Sequence, residues 1–296
     1  MLLNAFLEGI STHATLAVRK GVDRLNQKQD NQERLTILDW LSPVDFAAEQ
    51  QDFLSWREPG TGQWLLDSAE HQTWLNTKGG TLFCPGIPGA GKTVLAALTI
   101  DDLFTRFDQV PDVGLAFVYC NFRRHAEQKA YDLLASLLKQ LSSPKSPLPE
   151  AVKALYERHR ERRTRPTFEE VSNALESITA SYSRVFIVID ALDECQASDN
   201  CRTRFLAEVF KLREKSGANV FATSRFIPEI IGQFKGSPLL EIRASPEDVE
   251  RYVKSHVLQL RPFVQRSIKL QEEITTAISE AVDGMYVTSY DQEKRY

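Results

Sequence analysis

The stretch Gly86–Thr93, G-I-P-G-A-G-K-T, narrows the fold of this chain more than any other. It matches G-x-x-x-x-G-K-[ST], a loop whose backbone N–H groups cradle phosphate oxygens. Such a loop needs a strand to deliver it and a helix to leave it, because the helix N-terminus supplies part of the positive field. Both flanks comply. Thr81–Cys84 reads as a short apolar strand, and Thr93–Phe107 sets Leu95, Leu98, Leu103 and Phe107 on or near one helical face. Further along, Val185–Glu194 reads V-F-I-V-I-D-A-L-D-E, an apolar run that ends in acids. Together the two elements predict a chain that holds a nucleoside triphosphate with magnesium.

The same alternation extends through the middle of the chain. Val113–Phe122 reads as a buried strand, and Tyr131–Leu141 as a helix with an apolar stripe of Leu133, Leu134, Leu137, Leu138 and Leu141. Prolines between Ser142 and Pro149 end that helix, and Glu150–Arg163 forms the next. Thr167 and Glu170 make a capping box that opens a helix reaching about Ser181. Val185–Ile189, Asn219–Thr223 and Leu239–Ile242 read as strands, with a helix at Arg204–Lys215. Strands joined by helices pair in parallel through right-handed crossovers. The prediction is therefore a three-layer α/β domain with a central parallel sheet, over about residues 79–243. A helical arm, broken at Pro43, precedes it. Two amphipathic helices follow near Pro246–Leu260 and Ser267–Val282, the first opened by Ser245-Pro246. The expected division is an arm at 1–50, the nucleotide-binding domain at 51–245 and a C-terminal helical segment at 246–296.

Composition removes other classes. The chain has 296 residues, 42% hydrophobic and 26% charged, with a net charge of −4, so a polyanion-binding surface is not expected. Its four cysteines, Cys84, Cys120, Cys195 and Cys201, form no C-x-x-C pair, and the histidines are scattered, so metal-ligand spacing is absent. Ordinary thiols and the lack of a membrane-length apolar run point to a cytoplasmic protein without nucleic-acid or membrane partners.

The residue types explain the expected chemistry. The glycines of Gly86, Ile87, Pro88, Gly89, Ala90 and Gly91 permit backbone angles that aim N–H groups inward, and Pro88 stiffens the loop. Lys92 supplies a point charge for the outer phosphates, and the Thr93 hydroxyl is a magnesium ligand. Asp190 sits at the tip of an apolar strand, where its carboxylate can reach the metal. Asp193 and Glu194 follow on the exit turn. One of them can orient or deprotonate the attacking water, with Glu194 slightly favoured; the alternative is that they are simply solvated or cap the next helix. Arg225 closes T-S-R after the strand Asn219–Thr223, which should lie between the two motif strands, and is placed to touch the terminal phosphate. The arginine-rich run Arg158–Arg165 contains Glu161 and has no interleaved aromatics, so it reads as a solvated helix end. Gly60-Thr61-Gly62-Gln63-Trp64 has turn character and no chemistry of its own.

With these residues in hand, the chain resembles NACHT-type signal-transduction NTPases of the STAND class. It is most similar to the nephrocystin-like N-terminal domain of fungal NOD-like receptors that carry ankyrin repeats. The likeness spans about residues 38–287 and rests on G-T-G-Q-W-L-L-D-S at 60–68, L-F-C-P-G-I-P-G-A-G-K-T at 82–93, I-V-I-D-A-L-D-E-C at 187–195 and A-T-S-R at 222–225. It implies the ASCE branch of P-loop NTPases, an ATP/ADP switch with Mg2+, slow hydrolysis, and assembly with copies of itself or with full-length NOD-like relatives. It also implies that the region of Trp64 approaches the adenine. Relatives continue past D-G-M-[FY] into a lid, whereas here Asp283–Tyr286 is followed by ten residues. That predicts a truncated lid and uncovered apolar surface at Ile274, Ile278 and Val282. Two other functions fit the same motifs: a P-loop phosphotransferase, and a non-catalytic fragment that binds longer relatives.

Overall fold

The computed structural model describes residues 2–124, 128–196, 200–257, 264 and 267–282. Among the described residues, four strands form one parallel sheet: β1 (Thr81–Pro85), β2 (Val113–Tyr119), β3 (Arg184–Asp190) and β4 (Asn219–Ser224). Their spatial order is β1-β4-β3-β2. The last strand in sequence is thus inserted between the two motif strands, β1 and β3. Every residue of β1 and β4 is buried, as is nearly all of β3, which is what strands covered by helices on both faces require. Register pairs Pro85 with Ser224 and Tyr119 with Asp190, so the strand tips that carry the motifs end side by side.

The helices follow the apolar periodicity. In chain order they are α1 (Leu2–Leu41), α2 (Ala47–Ser55), α3 (Gln63–Asp67), α4 (Ala69–Asn76), α5 (Lys92–Phe107) and α6 (Ala130–Ser142). There follow α7 (Glu150–Arg162), α8 (Phe168–Ala180), α9 (Cys201–Ser216), α10 (Pro228–Gln233), α11 (Pro246–Val257) and α12 (Ile268–Val282). The capping box that opens α8 is formed: the Glu170 N–H donates to Thr167 Oγ1 at 3.2 Å, and the Thr167 N–H donates to Glu170 Oε2 at 2.8 Å. The arm is anchored by its last turns, since Ile37, Leu38 and Leu41 belong to the main core. The next helix is tied to α5 through Gln50, whose amide donates to Ala97 O at 2.9 Å.

One expected strand is corrected. Leu239–Ile242 runs parallel to the outer edge of β1 but touches it only as isolated bridges, Phe83 with Leu239 and Gly86 with Ile242. The Leu240 N–H donates to Phe83 O at 3.0 Å and the Ile242 N–H to Pro85 O at 2.7 Å. The segment is too short for a continuous ladder, and its outward residues Glu241 and Arg243 pair with each other. The expectation of bare apolar surface at Ile274 is also corrected. Ile274 packs with Tyr252 and Leu270 against Ala244, Val249, Val253 and Val264, a small second core between α11 and α12. The side chains of Ile278 and Val282, the end of the expected helix at 258–260, and Asp283–Tyr286 lie outside the described residues.

The turn at Gly60–Gly62, to which no role was assigned from sequence, is a joint. Gly62 has φ +77°, and a Cβ there would lie 2.6 Å from Leu95 Cδ2 and 2.9 Å from Leu98 Cδ2 of α5. Its N–H donates to the buried Asp248 Oδ2 of α11 at 2.8 Å, and the Arg251 guanidinium donates to Gly60 O. Gly62→Ala should cost about 2–4 kcal/mol, from the left-handed backbone and from overpacking against α5. Gly232→Ala, a substitution that meets nothing within 4 Å, should be neutral or slightly stabilising. Chemical denaturation of both variants checks the contrast.

His71 of α4 is fully buried with its ring against Trp74, centroids 5.3 Å apart. Burial pushes its pKa down to about 4, opposed by the Asp102 charge. The folded value lies below the unfolded one, so the unfolded chain takes the proton first. Stability is therefore fully present above about pH 6.5 and falls as the pH drops toward 4, by about 3 kcal/mol. Melting curves between pH 7.5 and 4.5 should steepen this loss relative to His71→Leu, in which it is absent.

Candidate functional site

The loop after β1 divides its residues between anchoring and display. Gly86 is buried, and a Cβ on it would lie 2.6 Å from Ile242 O, so its lack of a side chain admits the 239–242 segment. Ile87 packs on the core and Ala90 is fully buried, with the Ala90 N–H donating to Ile87 O at 3.2 Å. Pro88 and Gly89 stand exposed. Gly89 and Gly91 take φ +79° and +82°, left-handed angles that turn the chain into α5. Gly91 is the N-cap of α5 and has no side chain to occupy the first-turn N–H groups, which leaves them for an anion.

Lys92 folds back over this loop. Its Nζ donates to Gly86 O at 3.0 Å and Ile87 O at 2.8 Å. Burial lowers its pKa, while Asp193, Asp190 and Glu194 oppose that shift. The next residue, Thr93, donates its hydroxyl to Asp190 Oδ2 at 2.8 Å. Asp190 is only 2% exposed and accepts a second hydroxyl, Thr223 Oγ1 of β4, at 2.6 Å on Oδ1. The Ala191 N–H donates to Thr223 Oγ1 at 2.9 Å, which fixes the strand tips relative to one another. Burial raises the Asp190 pKa to about 6, against the two hydroxyls and the Lys92 charge.

The exit turn of β3 holds the other two acids differently. Asp193 accepts from Arg225 twice, from the backbone N–H at 3.0 Å and from Nε at 2.5 Å. Its side chain is 3% exposed, whereas that of Arg225 is 52% exposed. Glu194 Oε2 accepts the Phe122 N–H at 3.3 Å, and burial raises its pKa. Gly89, Gly91, Lys92, Thr93, Asp193, Glu194 and Arg225 share one open cavity of about 560 Å³, with Pro88 on its lip. Gly86, Ile87 and Ala90 support it from behind, and Asp190 stands behind Thr93.

Sequence reasoning missed part of the wall. Trp56, at the end of α2, and Phe122, just after β2, both line the cavity. Trp64, in the region that the resemblance brings toward the base, is partly buried and packs against the main core. The W-R-E-P-G-T-G-Q-W run offers both tryptophans at the joint, and nothing local distinguishes them.

The donor set suits magnesium. Thr93 Oγ1 and Asp190 Oδ2 are hard oxygens already adjacent at 2.8 Å, with the carboxylates of Asp193 and Glu194 nearby. Among the described residues no group of three or more His, Cys, Asp or Glu side chains could hold a metal ion. Mg2+ commonly takes only one or two protein oxygens, which Thr93 and Asp190 can supply.

The sequence profile described as Nephrocystin 3, N-terminal, matches residues 60–225, more than half of the chain. It begins at the glycine joint and ends at the arginine after β4. No curated protein matches. Among solved structures, a Walker-type ATPase of Pyrococcus abyssi is similar at 15% identity, covering 77% of this chain and 65% of that one, with a TM-score of 0.45. Cdc6p from Pyrobaculum aerophilum is 14% identical, with 71% and 52% covered and a TM-score of 0.43. Drosophila ORC bound to DNA is 15% identical, with 86% and 57% covered and a TM-score of 0.43. The chain spans less than two thirds of the length of each of these.

Proposed function

This chain belongs to the nephrocystin 3 N-terminal family, and from that premise we propose that it is a switch module of the NACHT type that binds ATP or ADP with Mg2+, hydrolyses ATP slowly and uses nucleotide state to control assembly. The observation that carries the proposal is the convergence of Lys92, Thr93, Glu194 and Arg225, from three separate strand tips, on one cavity. In this reading the first-turn amides of α5 and the Lys92 ammonium bind the outer phosphates. Thr93 and Asp190 hold the cation, which when bound neutralises phosphate charge. Asp193 is committed to Arg225 and positions it. Glu194, which accepts the Phe122 N–H and lines the cavity, is the acid assigned to orient water. The half-exposed Arg225 guanidinium can turn to a terminal phosphate oxygen and so register its presence.

Assembly with a second copy or with longer NOD-like relatives belongs to the same proposal, as does the division at 1–50, 51–245 and 246–296. The Asp248–Gly62–α5 joint supports a link between the helical segment and the nucleotide site, since the helix that begins at Lys92 packs on that glycine. Among the described residues no helix is long and apolar enough to cross a membrane.

Glu194→Gln separates binding from hydrolysis. Turnover of Mg2+–ATP should fall at least about a hundredfold while nucleotide affinity stays within a few-fold of the parent. Phosphate release that is unchanged in the variant contradicts the role given to Glu194.

A further inference from the structure

A second cavity, of about 480 Å³, lies between the end of α1, the first turn of α6 and the end of α7. Its floor is aromatic: Trp40, Tyr131 and Tyr156, with Trp40 edge-on to Tyr156 at 5.1 Å between centroids. Its rim carries Arg160, Arg163 and Arg165. The arginine run looked like a solvated helix end in sequence because two of its three aromatic partners, Trp40 and Tyr131, are brought in from α1 and α6.

On this cavity's lining three guanidiniums stand against one carboxylate, Asp132. Glu170 is already used by Arg158 Nη1 at 3.1 Å, by the ring of His159 at 3.1 Å and by Thr167. The buried His159 also meets Thr164 Oγ1 at 2.8 Å, so it acts as a strut beneath the rim. Among the described residues, Arg160, Arg163 and Arg165 make no ion pair; Arg160 lies over the Tyr156 ring at 5.7 Å. Arg163 holds φ +52°, a left-handed angle uncommon for a side chain of its size, and it turns 163–165 back toward the cavity. The one acid on the wall, Asp132, accepts the Lys129 N–H at 3.1 Å as a helix cap. Three guanidiniums over an aromatic floor select an anion that carries a flat ring, through charge-assisted hydrogen bonds and stacking. The volume suits a small molecule.

We propose that this cavity is a second ligand site, distinct from the phosphate loop, for a phosphorylated small molecule bearing an aromatic ring. The phosphoryl group meets Arg160, Arg163 and Arg165, and the ring lies on Trp40 and Tyr156. The test uses the full chain carrying Lys92→Ala, so that the phosphate loop contributes little, with phenyl phosphate, inorganic phosphate and a single-stranded oligonucleotide as probes. Phenyl phosphate should bind at least about tenfold tighter than inorganic phosphate by titration calorimetry. Adding Arg160→Gln, Arg163→Gln and Arg165→Gln should lower that affinity at least about tenfold with an unchanged melting temperature, whereas Arg158→Gln should leave it intact. Absence of phenyl phosphate binding, equal affinity for the two phosphates, or indifference to the triple change overturns the proposal. So does tighter binding of the oligonucleotide, which would make the cavity part of a nucleic-acid surface.

Discussion

Lys92→Ala should weaken Mg2+–ATP and Mg2+–ADP binding by about a hundredfold or more, leaving the fold intact. Removing one partner of a close, partly desolvated charge pair costs about 2–5 kcal/mol, and each 1.4 kcal/mol is a factor of about ten. Lys92 belongs to this class. Its ammonium is half-buried, held against the carbonyls of Gly86 and Ile87 and within the field of Asp193 and Asp190. Stability should change little, because the loop keeps its own Ala90–Ile87 turn and its buried anchors when those two acceptors are released. Equilibrium dialysis with labelled nucleotide, beside a thermal melt without it, reads the two effects separately. A variant that binds like the parent would remove Lys92 from the site.

Asp190→Asn should move stability and binding in opposite directions. A carboxylate that is 2% exposed, with two hydroxyls as its hydrogen-bond partners, is held ionised at a cost in desolvation. An amide of the same shape keeps a hydrogen-bonding role toward Thr93 and Thr223 without that cost, since both hydroxyls can reorient. The variant should therefore melt at or above the parent's temperature, with a gain on the order of 1–3 kcal/mol. Its nucleotide affinity should lose its dependence on Mg2+, because a neutral amide is a far weaker partner for a hard dication. Titrations with and without magnesium, set against melting temperatures, check the pair of signs. A destabilised variant that still responds to magnesium would mean that the strand-tip acid serves packing and not the cation.

The features that could be read from sequence were those encoded over short spans. β1, β3 and β4 each centre on an unbroken apolar stretch, L-F-C, V-F-I-V-I and V-F-A, as strands buried on both faces require. The capping box of α8 lies within four consecutive residues, and the phosphate loop within eight. A strand between the two motif strands is what the resemblance to the ASCE branch implies, and the sheet order β1-β4-β3-β2 agrees with it.

What escaped depends on contacts between distant parts of the chain. Gly62 looks like an ordinary turn glycine until Asp248, far along the chain, is seen to receive its N–H and Leu95 and Leu98 to fill the space above it. Gly86 fits the loop pattern, yet its missing side chain admits Ile242 O. As neighbours in D-A-L-D-E, Asp193 and Glu194 differ too little for more than a slight preference for Glu194; Arg225, arriving after β4, takes Asp193. Trp56 and Trp64 flank the same turn, and only their places in the fold separate them: Trp56 lines the cavity and Trp64 packs on the main core.

The central claim is that the loop amides, Lys92 and the strand-tip acids grip one nucleotide–magnesium complex. A crystal structure of the chain grown with a non-hydrolysable ATP analogue and magnesium tests it most directly. The account predicts phosphate oxygens within hydrogen-bond reach of Lys92 Nζ and the first-turn amides of α5, with the cation beside Thr93 and Asp190. A nucleotide lodged elsewhere, or a phosphate loop left empty at saturating analogue, would contradict it.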